Sequence, residues 1–507
     1  MSITMSAFVN CLLWASVFLA VVPTRAANIT LVPVATNFDG DNTAFVYGQS
    51  PILVANDGSA ADGGFRTFFI SSAVPIKEIA HEKIGRSKVV VPAHDIGGRN
   101  LIIGIPAPDS LIRIYDAETG KRVESNDKKQ LGDWSSACVW RSAKSGESYL
   151  FLFGKRTVAQ CIVQNKKRGV EILEVRSPFR KHCHDANVFQ VQTFNVPIEA
   201  ETCAVFSNGQ AFFSAKDRPL YSFQASESTT APVIQTLSET LEVTGLAVYH
   251  GNASDYLFIA RNDAVDIYDE TIKQKGTIHL SGVPNLEIKS GLSILQSSID
   301  GYPSGAIALA FKSEDDTGAV VGSLAGALTS LGIEANTAYT PKIKLCTRCE
   351  DVVSEKCSNN GFSTGYGNCS CFAGFTGKHC SETTCENGCS DHGKCKGPNV
   401  CECKDGWAGP DCSFVAVKAK YETEANGGDG DDPAIWIHAT RPDQSRIITT
   451  TKSSEGEGFS IYNLEGRLLQ HITAQKPNNV DIIYNLTVGN RKVDLAYAAC
   501  RGDNTLW

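Results

Sequence analysis

The sequence predicts an all-β chain, and three observations carry the prediction. Short apolar runs of about five residues, rich in β-branched and aromatic side chains, recur along residues 28–345 and stop at Gly, Pro, Asn or Asp. No long stripe of apolar residues at the helical 3.6-residue period interrupts them. The 507 residues include 23 Phe but only 2 Met, a composition that leans toward a rigid β core rather than a helical bundle. The length suffices for two or three domains.

In chain order the runs are Lys88–Pro92, Leu101–Ile105, Tyr149–Phe153, Ala211–Phe213, Tyr256–Ala260 and Ala306–Phe311. The single helix-prone stretch is Val320–Leu331, rich in Ala and Leu but interrupted by Gly322 and Gly326. A repeat runs through the series. Leu111–Asp116 ends in Ile-Tyr-Asp, turns at Thr119 and Gly120, and returns. Ala264–Asp269 does the same, and Phe459–Asn463 ends in Ile-Tyr-Asn before turning at Glu465 and Gly466. Recurrence of such strand pairs every 45–50 residues or so is the mark of a four-stranded blade in a β-propeller. Residues 28–340 have room for about six blades. A pair of β-sandwiches is the competing arrangement.

Cysteine usage divides the chain. Of 18 cysteines, 12 fall between Cys346 and Cys412, a density that means a disulfide framework or a zinc array. The second half of the cluster, Cys385, Cys389, Cys395, Cys401, Cys403 and Cys412, ends in Gly-Trp-Ala-Gly-Pro-Asp-Cys. It resembles an EGF-like module of the tenascin type, and the resemblance implies pairs Cys385–Cys395, Cys389–Cys401 and Cys403–Cys412. The first half, residues 346–380, ends in the same way but begins atypically, with Phe362 where a cysteine often stands; its connectivity stays open. Zinc at Cys346 and Cys349 is the competing reading. Neither module carries the acidic approach of calcium-binding EGF modules. Cys138, Cys161, Cys183, Cys203 and Cys500 lie scattered, an odd number. His182-Cys183-His184 lacks a second cluster to complete a metal site.

The N-terminus carries an apolar run of 12, Cys11–Val22, too short to span a bilayer. Small residues suited to cleavage follow near Ala26 and Ala27, so residues 1–27 read as a secretory signal peptide. No later segment is long and apolar enough for a membrane span. Sequons at Asn28, Asn252, Asn368 and Asn485 are compatible with a secreted, extracellular glycoprotein. A net charge of −8 argues against a nucleic-acid-binding surface.

The chemistry concentrates in residues 414–507. Asp429, Asp431 and Asp432 crowd a glycine-rich loop entering a short apolar strand, followed by Lys452, Asn478-Asn479-Val480-Asp481 and Arg501-Gly502-Asp503. Carboxylates suit a hard cation, and Lys with Arg suits a phosphate-like anion. A solvated acidic loop is the plain reading of the composition. The Arg-Gly-Asp tripeptide also occurs in adhesion proteins, although three residues recur readily by chance.

Four ordered segments, Asp431–His438, Ile461–Gly466, Asn478–Tyr484 and Lys492–Ala496, resemble the opening of the β-propeller phytases. The resemblance implies a second six-bladed propeller, of which residues 414–507 are the first one to two blades, and therefore a truncated domain. It implies that Asp431, Asp432 and, more weakly, Asp481 bind calcium, and that Lys452, Arg501 and Asn479 meet the phosphates of phytate or other inositol phosphates. The reaction it implies is a 3-phytase-type phosphomonoester hydrolysis. There calcium acidifies a water that attacks phosphorus in line, with no covalent intermediate. Residues 28–340 resemble the same family with fewer of its residues. Lys155 matches a phosphate-binding lysine, whereas Arg156, Thr244 and Ser290 replace carboxylates, and Asp41-Asn42-Thr43-Ala44-Phe45 replaces Asp-Asp-Pro-Ala-aromatic. The first propeller is thus expected to be degenerate and non-catalytic. The competing view of the whole chain is an extracellular binding protein for a protein or glycan partner.

Overall fold

The computed structural model describes residues 25–507 except 60–62, 74, 108–109, 126–133, 165–185, 314–315, 342–351, 366, 426–429 and 453–455. Cys346, Cys349, Asp429 and His182–His184 lie outside the described residues.

Six sheets stand in a ring. Their innermost strands are Thr43–Val46, Ser87–Ile96, Ser136–Arg141, Thr202–Val205, Gly245–His250 and Glu287–Leu295, one for each of blades 1 to 6. Each packs against the next, and the sixth returns to the first. The architecture is a six-bladed propeller. The N-terminal strand Val32–Thr36 closes the ring by pairing antiparallel with Thr317–Ser323 as the outer strand of blade 6. Just before it, Arg25–Thr30 runs parallel to Gln274–Ser281 of blade 5. Ala27 is buried in the core there, and Arg25 Nη1 donates to the Leu331 carbonyl. Residues 25–27, placed in the leader by sequence, are therefore part of a strand.

Five of the six apolar runs are the second strand of a blade. The reason is burial on both faces: Tyr149–Phe153 is buried at every position between the cores of neighbouring blades, so alternation disappears from the sequence. The repeat ending in Ile-Tyr-Asp/Asn is the third strand each time. Asp116 Oδ1 accepts from the Glu118 and Thr119 amides at 3.1 and 2.9 Å. Asp269 Oδ1 accepts from Thr271 and Lys273 at 3.0 and 3.1 Å. Asn463 Oδ1 accepts from Glu465 and Arg467 at 3.1 and 2.9 Å. The side-chain oxygen replaces backbone acceptors in the turn, the usual mechanism of an Asx turn. The helix-prone stretch splits: Val320 and Val321 complete the strand Thr317–Ser323, and the helix is Ala325–Leu331, ended by Gly332 at φ 69°. Gly322 lies in that strand, paired with Ile307, where a Cβ would stand 2.3 Å from Ile29 Cγ2.

A disulfide, Cys138–Cys203, joins the innermost strands of blades 3 and 4. After the propeller come the two small modules. The second holds Cys385–Cys395, Cys389–Cys401 and Cys403–Cys412, the pairs implied by the tenascin-type resemblance. The three sulfurs nearest to a metal cluster, Cys385, Cys389 and Cys401, are all in these bonds. The first holds Cys357–Cys369 and Cys371–Cys380, with the same separations of 12 and 9 as the last two bonds of the second. Counting along this common register puts Val353 and Ser363 where Cys385 and Cys395 stand. In place of a bridge, Val353, Phe362 and Phe372 are buried in the core shared by blades 3 and 4, and Ala373 N–H donates to the Val191 carbonyl at 3.1 Å. Apolar docking on the propeller does for the first module what a disulfide does for the second.

The C-terminal part forms two further sheets. One has the order Gly430–Trp436, Arg446–Thr451, Gly458–Tyr462, Leu468–Ile472; the other has Pro477–Val488, Arg491–Cys500, Thr505–Leu506. They share a core built from Ile448, Phe459, Val480 and Ala498. Outside it, Ile435, Ile437, Ile483, Leu495, Leu506 and Trp507 are exposed. No helix among the described residues is long and apolar enough to cross a membrane.

Candidate functional site

The two C-terminal sheets present corresponding positions at one end. Register breaks between Gly430 and Pro433 in the innermost strand of the first sheet, and between Asn478 and Val480 in that of the second. Such bulges re-aim side chains. Asp431 occupies one bulge and Asn479 the other, Asn479 with φ 35°, a conformation Asn tolerates better than most residues. On each sheet the neighbouring strand ends opposite the bulge, at Thr451 and at Cys500. The next residue is Lys452 in one and Arg501 in the other. Two blades thus aim one cation each at the same region.

Asp431 is the meeting point. Lys452 Nζ lies 2.9 Å from its Oδ2, with side-chain exposures of 21% and 24%. The Asn479 amide donates to the same oxygen at 3.3 Å. Burial alone would push this carboxyl up. Lys452, the Asn479 N–H and the field of Arg501 outweigh it and hold the carboxyl below its ordinary value. Arg501 is anchored through its backbone, its N–H donating to the Lys476 carbonyl at 3.0 Å while Gly502 N–H donates to Gln475 at 3.1 Å. Its exposed guanidinium stays available for a bidentate anion.

The remaining carboxylates stand apart. Asp432 is exposed beside Asp431, and Asp481 is exposed with Oδ1 accepting from the Ile482 amide at 2.7 Å. Among the described residues, Asp431, Asp432 and Asp481 do not form a three-donor cluster within 4.8 Å. The donors suit calcium in kind, being hard carboxylate oxygens; in number they are a fraction of the six to eight or so that calcium takes.

A clamp that the sequence left without a role holds the two sheets together away from this end. Trp436 Nε1 donates to Asp494 Oδ2 at 2.8 Å, and Asp494 Oδ1 accepts from the Asn485 amide at 2.9 Å. Tyr484 Oη accepts from the Ile437 N–H at 3.0 Å and donates to the Ile435 carbonyl at 3.2 Å. Trp436, Tyr484 and Asp494 all lie in the quoted segments, and the pairing of one segment with another is the signal that would have found them.

In the first propeller, Lys155 follows the second strand of blade 3, at the same end of its sheet as Lys452. Thr244 and Ser290 stand at that end of blades 5 and 6, Ser290 Oγ donating to the Asp41 carbonyl at 3.0 Å.

Comparison with known proteins locates two families on the chain. Residues 410–506 match the Phytase family, and residues 385–412 match the EGF-like domain. A 3-phytase of Bacillus subtilis (strain 168) is 42% identical over 95 residues, which is 18% of this chain and 24% of that protein. The chain therefore spans about a quarter of the length of this relative. Among solved structures, regucalcin from Agrobacterium tumefaciens, titled a calcium-binding protein, covers 62% of this chain and 98% of its own at 11% identity, with a TM-score of 0.38. A protein titled a putative gluconolactonase covers 59% and 93% at 13% identity, with a TM-score of 0.36.

Proposed function

We propose, from the match of residues 410–506 to the Phytase family, a secreted, calcium-dependent hydrolase that releases phosphate from inositol hexakisphosphate, with a 3-phytase type of regiochemistry. The observation that carries this reading is the convergence of Lys452 and Arg501, from equivalent positions on two neighbouring blades, around one carboxylate. In the reading, residues 414–507 correspond to the opening blades of a second propeller. Residues 28–340 are a non-catalytic relative of it.

Lys452 and Arg501 hold phosphate oxygens and oppose the charge that builds on them during transfer. Asp431 keeps Lys452 extended toward the site and offsets its charge while no anion is bound. The bulge at Asn479 places an N–H and a carboxamide beside that pair. Asp431 and Asp432 would hold calcium, with Asp481 as a further candidate. Calcium there supplies positive charge against the substrate phosphates.

The test is phosphate release from inositol hexakisphosphate by the complete transcript product, with and without a calcium chelator, beside Lys452→Ala and Arg501→Ala. Release should require calcium and fall at least about a hundredfold in each variant. Release indifferent to chelation, or unchanged in both variants, would sink the proposal.

A further inference from the structure

The central channel of the first propeller is closed at one end. Residues 336–341 cross that end and tie four blades together. The Asn336 N–H donates to Tyr249 Oη of blade 5 at 2.7 Å, and its side-chain amide donates to the His250 carbonyl at 2.8 Å. Gln296, just past blade 6, donates to the Asn336 carbonyl at 3.3 Å, and Arg141 of blade 3 donates to the Pro341 carbonyl at 3.4 Å. Tyr339 forms the floor. Its ring stacks on His250 at 4.4 Å and meets Tyr47 of blade 1 edge-on at 5.6 Å. The channel is therefore a cup of about 330 Å³, within the usual size of small-ligand sites.

The cationic groups that reach the cup are compensated. Arg141 is paired with Asp95 at 3.0 Å and His250 with Asp255 at 3.0 Å. His94 accepts the Tyr47 N–H through Nε2 at 3.1 Å. At the open end Asp41, with Asp39 and Glu201 nearby, is only partly offset by Lys289 and Lys88, so the rim is acidic. The walls instead offer hydroxyls: Thr43 and Ser293, which share a hydrogen bond of 3.0 Å, with Ser136 and Thr202. Thr43 Oγ1 also donates to the Ala308 carbonyl at 3.4 Å, Thr202 Oγ1 accepts the Leu246 N–H at 2.9 Å, and Ser136 Oγ donates to Cys203 Sγ at 3.8 Å. With one donor and two acceptor sites per hydroxyl, each keeps acceptor capacity. Trp140, also in the wall, has a buried indole N–H with no partner among the described residues. A phosphate-bearing ligand would need uncompensated cations, which this cup lacks. A hydroxyl-lined cup with an aromatic floor, an acidic rim and no uncompensated cation suits a neutral polyhydroxylated ring.

The geometry points to the channel of the first propeller as a binding cup for one neutral sugar ring, entering from the Asp41 end and resting on Tyr339. The site is separate from the Lys452 region and does not depend on the phosphatase reading.

Isothermal titration of the full chain tests it. The probes are glucose, galactose, mannose, N-acetylglucosamine and their short oligosaccharides, with glucose 6-phosphate and inositol hexakisphosphate as charged comparators. At least one neutral sugar should bind saturably at one site per chain. The double variant Thr43→Val with Ser293→Ala, which removes two hydroxyls at little change of volume, should weaken it at least about tenfold. Tyr339→Ala, on the strap and outside the blades, should do the same if the double variant misfolds. Lys394→Ala, in the second small module, should leave binding unchanged. A free sugar that binds as well as its oligosaccharide identifies a small-sugar site. Binding of the oligosaccharide alone identifies a glycan terminus, and both outcomes support the cup. No neutral sugar bound, tighter binding of glucose 6-phosphate, or binding unaffected in both folded variants would overturn it.

Discussion

Asp41 in blade 1 and Asp431 in the first C-terminal sheet occupy corresponding positions in two four-stranded sheets, yet their carboxyls are displaced in opposite directions. Burial raises Asp41, Asp39 and Glu201 add to it, and Lys289 and Lys88 do not offset them. Burial also acts on Asp431, but Lys452 and its neighbours bring it below the ordinary value. The register shows why. Thr43 pairs with Ala55 and Pro433 with Thr449, so three residues on, Gly58 stands where Lys452 does. In the following blade, Lys88 sits in the bulge between Ser87 and Val89, where Asn479 sits between Asn478 and Val480. The blade skeleton is shared; the cation beside the carboxylate is not. With glycine rather than lysine at the end of the second strand, the buried acid is left with acidic neighbours.

The largest expected effect breaks this comparison at its cations. In the complete protein, Lys452→Ala or Arg501→Ala should each weaken binding of inositol hexakisphosphate by about 1.5–3 kcal/mol, the usual worth of a hydrogen bond to a charged group. Lys88→Ala should leave it unchanged. Calorimetry at one fixed salt concentration decides, and equal losses in all three variants would abolish the distinction between the propellers.

Next comes an attempt to restore the lysine. A Cβ at Gly58 would stand 2.9 Å from Asp39 Oδ2 and 3.3 Å from its carbonyl oxygen. Gly58→Lys should therefore cost about 1–3 kcal/mol in chemical denaturation, as overpacking does. An unchanged denaturation midpoint would mean that the surroundings of Gly58 can accommodate a lysine side chain.

A smaller effect is expected for Asp431→Asn, because the pair it breaks is partly exposed. Stability should change by about 0–1 kcal/mol, while phosphate affinity in calcium-free buffer rises as Lys452 loses its internal counter-charge. Weaker phosphate binding would show that Asp431 orients Lys452 more than it occupies it.

The mildest test is titration of the two carboxyls by NMR. Asp431 should titrate below 3.8 and Asp41 above it. By linkage, the Asp431 contribution to stability is complete above the unfolded value and fades as pH falls through the folded one. The Asp41 contribution is complete below the unfolded value and fades as pH rises through its folded one. Coincident titrations would remove the electrostatic contrast.

The strands most visible in the sequence were those with the least alternation. Tyr149–Phe153 and Ala306–Phe311 are second strands, covered on both faces, and read as plain apolar runs. Most innermost strands mix channel-facing polar residues with core residues, so Thr43–Val46 and Thr202–Val205 gave no run to find. Val320 and Val321 looked helical beside Ala and Leu, but pairing with the N-terminal strand placed them in blade 6. Closure by residue 32 onto residue 321 is a contact between distant parts of the chain, which local composition does not record.

Within the candidate site, the residue types were legible and their grouping was not. Lys452, Asn479 and Arg501 stand out near acidic and glycine-rich segments. Their meeting at Asp431, and the separation of Asp432 and Asp481 from it, depend on two bulges whose register comes from the partner strand. The Trp436–Asp494 bond joins residues far apart in the chain, so neither residue marks it.

By itself the sequence determined the blade repeat, through Asx turns that close on neighbouring amides; the pairing pattern of the second small module came from its resemblance to a tenascin-type EGF-like module. Both are local, set within a few tens of residues. The tertiary structure alone decided that blade 6 is completed from the N-terminus, that Val353 and Phe362 replace a disulfide by packing on the propeller, that residues 336–341 close the channel, and that Asp431 is charge-balanced where Asp41 is not. Each of these depends on which distant surface a residue meets. Burial, and the sign of the nearest charge, become properties of a residue only after the chain has folded.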